Sequence, residues 1–93
     1  MGAVGYDRHQ NAAIQAAAAT VVQQLSELTG TTPRVIAELG AVRIEADVTD
    51  AALRRWTRLV AVLELGTEYG VSRTPDGQIA WLRITLRRQG PRP

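Results

Sequence analysis

The chain begins with a stretch whose apolar residues recur every three or four positions. Its apolar members step by four and three residues: Ile14, Ala18, Val21, Leu25 and Leu28. This spacing places them on one face of a helix, so we predict a helix over residues 8–29. Asp7, three residues before a glutamine, is the expected N-cap, and Asn11 is the alternative cap. Residues 1–6 show no periodicity and are expected to form a loose leader.

After Pro33 the apolar period changes to two, which indicates strands. The alternating members of the clearest strand are Val42, Ile44, Ala46 and Val48. The preceding segment, residues 34–39, allows two interpretations. Pro33 could begin a short helix, or the segment could be a strand that turns at Gly40 into the next one. The adjacent β-branched residues Val35 and Ile36 favour the strand.

A second helix is predicted over residues 50–65, capped by Thr49 or Asp50. Its expected apolar stripe comprises Leu53, Trp56, Val60 and Leu63, widened by Ala52 and Leu59. Trp56 therefore counts as a core residue in this prediction. The period then returns to two around a Thr-Pro-Asp-Gly turn at residues 74–77, which indicates a second hairpin. Its second strand alternates Ala80, Leu82, Ile84 and Leu86 with Ile79, Trp81, Arg83, Thr85 and Arg87.

The predicted element order is α-β-β-α-β-β, which is typical of the α+β class. We expect a two-layer sandwich, in which a four-stranded, mostly antiparallel sheet carries two helices on one face. The 93 residues fit a single domain, with flexible tails at residues 1–6 and 88–93. This layout leaves one face of the sheet uncovered.

The composition narrows the chemistry that the chain can perform. It contains no cysteine and one histidine, which excludes disulfides, thiolate metal sites and a cysteine nucleophile. Glu45 and Asp47 share a strand face, but they alternate with arginine and are expected to form cross-strand ion pairs. No phosphate-binding, zinc-protease or serine-hydrolase motif is present. We therefore predict no catalytic residue, no metal site, no cofactor and no enzymatic activity.

The charges are distributed unevenly along the chain. All 11 basic residues are arginine, a composition typical of a GC-rich coding genome, and nine residues are acidic. Residues 1–76 carry a net charge of −2 and residues 77–93 a net charge of +4. Residues 10–26 carry no charge, but their glutamines make them too polar to span a bilayer. We expect no membrane segment and a cytoplasmic location.

Two functional hypotheses follow from the surfaces that this fold would expose. The first is a non-enzymatic interaction module that binds a protein partner or a second copy of itself. Its expected contacts are Ile36, Ile79 and Trp81 on the uncovered sheet face and Ala12, Ala16 and Ala19 on the first helix. The helix face carries none of the charged residues that surface helices usually show, and the three sheet residues are apolar.

The alternative hypothesis is nucleic-acid binding through the basic end of the chain. Its expected contacts are Arg83, Arg87, Arg88 and Arg92. Arginine side chains neutralise phosphates, so this function would require a continuous positive surface. Acidic residues on the same sheet face weigh against it.

Overall fold

The order of helices and strands agrees with the predicted α+β fold. The computed structural model describes the backbone of residues 2–85 and the side chains of residues 14–85. Its elements are α1 (Gly2–Thr29), β1 (Arg34–Glu38), β2 (Ala41–Asp47), α2 (Asp50–Arg54), α3 (Trp56–Leu63), β3 (Glu68–Thr74) and β4 (Gly77–Thr85). The predicted C-terminal tail, residues 88–93, lies outside the described residues.

Helix α1 is longer than the sequence predicts. It begins at Gly2 rather than near residue 8, so residues 2–6 are helical and not a loose leader. Asp7 and Asn11 are therefore interior positions of the helix, and the prediction that either one caps it is wrong. Residues 2–13 contain no proline, so nothing in the backbone stops the helical hydrogen bonding at the predicted start.

The predicted second helix is divided in two at Arg55. Arg55 has φ −123° and ψ 40°, outside the helical region, and its amide donates to Ala52, three residues back, at 3.0 Å. The predicted stripe is confirmed at Ala52, Leu59 and Leu63. The buried residues of α2 and α3 are Ala52, Leu59, Val62 and Leu63. Leu53 and Trp56 are exposed, Trp56 by 38%, so the prediction that Trp56 belongs to the core is wrong.

The four strands form one antiparallel sheet in the order β1-β2-β4-β3. Each hairpin pairs its own two strands, and β2 joins β4 with Ile44 opposite Leu82. Residues 34–38 form a strand, as favoured, and the chain reverses through Leu39 and Gly40. Gly40 has φ +72°, a left-handed conformation that costs glycine no steric clash.

The three helices cover the central strands and leave the outer strands open. The largest fully buried side chains are Leu25, Ile44, Leu59, Leu63 and Leu82. Thr49 caps α2, as predicted, by accepting from the Ala52 amide at 3.2 Å, and it donates to the Thr29 carbonyl at 2.8 Å. This contact joins the end of α1 to the start of α2. On the helix side of the edge strands, Val35 of β1 and Val71 of β3 are exposed by 54% and 41%.

Candidate protein-interaction surface

The uncovered sheet face carries a tryptophan whose ring lies along the sheet. Trp81 lies at the centre of this face, between Glu45 of β2 and Gly70 of β3. The indole lies across Gly70, where a Cβ atom would approach Cζ2 of the ring to 3.1 Å. The guanidinium carbon of Arg43 lies 4.3 Å from the ring centroid, a cation–π distance. Trp81 is therefore half-buried by side chains and backbone of its own sheet.

Ion pairs occupy much of the rest of this face. Arg34 contacts Glu45 at 3.6 Å and Asp47 at 3.4 Å, and Arg43 contacts Glu45 at 2.8 Å. The predicted pairing of Glu45 and Asp47 with arginine is confirmed. On the same face Arg83 of β4 contacts Glu38 of β1 at 3.0 Å and also contacts Glu68 of β3.

The positive and negative side chains of this face nearly balance. Among the residues that the structure describes there, three arginines stand against four carboxylates, a formal net charge of −1. The phosphates of nucleic acid bind to positively charged surfaces. Of the four arginines in the alternative site the structure describes Arg83, and its guanidinium is paired with two carboxylates. Arg87, Arg88 and Arg92 lie outside the described residues, so the nucleic-acid hypothesis stays a prediction.

The residues predicted to bind a protein lie on two surfaces, the uncovered sheet face and α1. Ile36, Ile79 and Trp81 lie on the uncovered face, where Ile36 is the most exposed of the three at 38%. Ala16 and Ala19 are exposed on α1, which packs on the opposite face of the sheet. The side chain of Ala12 lies outside the described part of the chain. The two groups therefore lie on opposite faces of the sheet.

An apolar groove beside the edge strand β1 is the feature that sequence reasoning missed. It lies between α1 and the helix side of β1 and β2, with a volume of about 380 Å³. Its lining comprises Gln15, Ala18, Ala19, Val22, Val35, Ala37 and Val42. All five residues of β1 are exposed, and Leu39 at the adjoining turn is also exposed. We call this groove together with β1 the β1 edge.

The outer backbone groups of β1 can be identified from the hydrogen-bond pattern of the sheet. The Val48 amide donates to the Gln78 carbonyl at 3.0 Å, so the even-numbered residues of β2 bond to β4. Since bonding alternates along an antiparallel strand, its odd-numbered residues bond to β1. Arg34, Ile36 and Glu38 are opposite those residues. The N–H and C=O groups of Val35 and Ala37 therefore point away from the sheet, towards the open side of the β1 edge.

A second, smaller surface lies at the break between α2 and α3. Arg54, Arg55 and Arg58 flank the exposed Leu53 and Trp56 there. Within residues 14–85 none of these three arginines forms an ion pair. The patch is basic and partly apolar, but no other observation indicates what it contacts.

The described residues contain neither a cluster of metal ligands nor a buried polar side chain without a partner. No group of three or more histidine, cysteine or acidic residues in them could hold a metal ion. Every buried side-chain nitrogen or oxygen in the same part of the chain has a hydrogen-bond partner. Nor does any helix there have the length and apolar content needed to cross a membrane.

No protein-family model, no curated protein and no solved structure matches this chain.

Proposed function

We propose that this protein is a small, non-enzymatic interaction module that binds a protein strand at its β1 edge. Strand addition to an exposed sheet edge is a common mode of protein recognition, in which main-chain hydrogen bonds supply affinity and side-chain pockets supply specificity. A cytoplasmic location, which the sequence favours, is part of this proposal.

The observation that carries the proposal is the coincidence of three features at one place. The backbone groups of Val35 and Ala37 face outward, the whole strand is exposed, and an apolar groove runs beside it. Unpaired edge strands invite pairing with other chains, and proteins usually cover or interrupt them. Ala19 on α1 and Ile36 on β1 belong to this surface, so part of the surface predicted from the sequence is retained.

The uncovered face contributes less to this proposal than the sequence suggests. The indole of Trp81 lies against Gly70 and beneath the Arg43 guanidinium, so it lies along the face and does not project from it. The surrounding ion pairs would have to be rearranged or desolvated before a partner could lie flat on the face, which is costly for charged groups.

Site-specific photo-cross-linking tests the proposal. A benzophenone amino acid replaces Val35 in the full chain, and the matched control places it at Val71. Both are exposed valines on the helix side of an edge strand. We expect protein cross-links at position 35 that exceed those at position 71 and that are lost when Ala37→Pro removes an outward amide. Equal yields at the two positions, or cross-links at position 35 that survive A37P, would contradict the proposal.

A further inference from the structure

The two ends of β1 carry opposite charges around three apolar residues. The strand reads Arg34-Val35-Ile36-Ala37-Glu38, so its pattern is complementary to itself when one copy is reversed. We propose that the occupant of the β1 edge is a second copy of this chain, paired antiparallel with Ile36 opposite Ile36 of the second copy. This inference rests on the function proposed above, and it names the partner.

This register forms favourable side-chain pairs and backbone hydrogen bonds at the same time. Arg34 lies opposite Glu38 of the second copy, and the twofold symmetry repeats that pair. Val35 and Ala37, whose backbone groups point outward, form the hydrogen-bonded positions of the new ladder. The Ile36 and Arg34 positions are non-hydrogen-bonded, where paired Cα atoms approach to about 4.5 Å and side chains are closest. Cross-strand pairs of opposite charge at such positions are favourable.

The neighbouring registers lose these advantages. A shift of two residues in one direction places Arg34 opposite Ile36, and Pro33 enters the ladder at a position that needs an amide donor. The same shift in the other direction places Glu38 opposite Ile36. Neither shifted register pairs the two charged ends, so the charges specify one alignment.

The existing ion pairs would extend across the new interface. Arg34 already contacts Glu45 and Asp47, and Glu38 contacts Arg83. The side chains of Arg34 and Glu38 keep 46% and 33% of their surface exposed, so each can take a further partner. The dimer would join two separate networks into one row of alternating charges.

Closure of the apolar groove favours a second copy over the other occupants. A twofold axis perpendicular to the sheet places both α1 helices on the same side, above a shared floor of Val35 and Ala37 from the two chains. The pairing is isologous, so it leaves no free β1 edge to propagate. The chain's own residues 86–93 offer one large apolar side chain, Leu86, and two prolines, a poor composition for an added strand.

Charge-reversal variants of the full chain test the register by sedimentation velocity. We expect a wild-type dimer, and a dissociation constant weakened at least about tenfold in R34E and in E38R, because each places like charges opposite each other twice. An equimolar mixture of the two variants should form a heterodimer, and the double variant R34E/E38R should form a homodimer. The matched control R73E, on the other edge strand, should dimerise like the wild type.

The mixture protects the test against misfolding, because a variant that fails to fold cannot regain association from another variant. A monomeric wild type, single variants that dimerise normally, or a mixture that stays monomeric would each overturn the inference. Its failure can be distinguished from failure of the proposed function. Cross-links from position 35 to another protein, with a monomeric wild type, would overturn the second copy as partner and would still support strand binding at the β1 edge. Cross-links from position 35 to the chain's own residues 86–93 would overturn both.

Discussion

The two edge strands of this sheet are both open on one side, but their surroundings differ. Each belongs to a hairpin, each has one open side, and each exposes a valine on the helix side. In β3 a glycine is covered by the indole of Trp81, and Thr67 beside the strand donates to the Arg83 carbonyl at 2.9 Å. All five residues of β1 are exposed, and a groove runs beside the strand.

The difference extends to the order of charges along each strand. Reversed pairing of β3 about Val71 would place Tyr69 opposite Arg73 and Glu68 opposite Thr74, which matches no charges. Reversed pairing of β1 about Ile36 matches both ends. Charged residues on an edge usually prevent unwanted pairing, and β1 shows that the same residues can instead select one partner and one register.

The largest expected effect comes from proline at neighbouring positions of β1. The Ile36 amide faces β2, so I36P should remove a ladder hydrogen bond and lower the free energy of unfolding by about 3 kcal/mol. The Ala37 amide faces outward, so A37P should cost about 1 kcal/mol or less in the monomer. Urea denaturation of dilute protein measures both. Equal losses would show that the assignment of inward and outward amides is wrong.

The next effect concerns the covered glycine of β3. In Gly70→Ala the new methyl group would lie 3.1 Å from the Trp81 ring, and we expect a loss of about 1–2 kcal/mol as the indole moves. The fluorescence of Trp81 in a W56F background should change as Arg43 loses its contact. Ser72→Ala, on the same strand and face, is the control and should stay within about 0.5 kcal/mol. A neutral G70A with unchanged fluorescence would contradict the described packing.

A charge introduced into the groove should weaken dimerisation without changing the free energy of unfolding. Ala19 is an exposed groove residue, so A19E should leave the free energy of unfolding within about 0.5 kcal/mol. The buried carboxylate should weaken dimerisation about tenfold. Sedimentation velocity measures the second effect, with A17E, on an exposed α1 position outside the groove lining, as control. Equal weakening by both variants would exclude the groove from the interface.

The smallest effect concerns the cation over the indole. Arg43→Gln removes the charge above Trp81 and the ion pair with Glu45, and we expect a loss of about 0.5–1 kcal/mol. Salt should reduce this difference because it screens the ion pair. Thermal unfolding at low and high salt, with R73Q as control, measures it. A loss no larger than that of R73Q would mean that the stacking contributes nothing.

The sequence predicts the local alternation well, because period two depends only on which face each side chain occupies. The strand at residues 34–38, the Thr49 cap and the division of β4 into buried and uncovered faces are all confirmed. The position of each strand in the sheet depends on long-range pairing and not on local alternation. The pairing of β2 with β4 is a long-range choice, and nothing in the local pattern reveals that β1 is an edge.

The break at Arg55 shows a second limit. Two apolar stripes, one through Leu53 and Trp56 and one through Ala52 and Leu59, lie one residue apart in the same segment. The larger side chains favour the first stripe, whereas the structure buries the second. The phase is set by packing of α3 against α1 and the sheet, which a helical period alone does not contain.

Amide hydrogen exchange measured residue by residue tests the central claim most directly. In the dimer the Val35 and Ala37 amides should be protected at high protein concentration and should exchange quickly on dilution. The outward amides of β3, those of Tyr69, Val71 and Arg73, should exchange quickly at every concentration. Exchange of Val35 and Ala37 that is as fast as in β3 at all concentrations would contradict a β1 edge that pairs with a second copy.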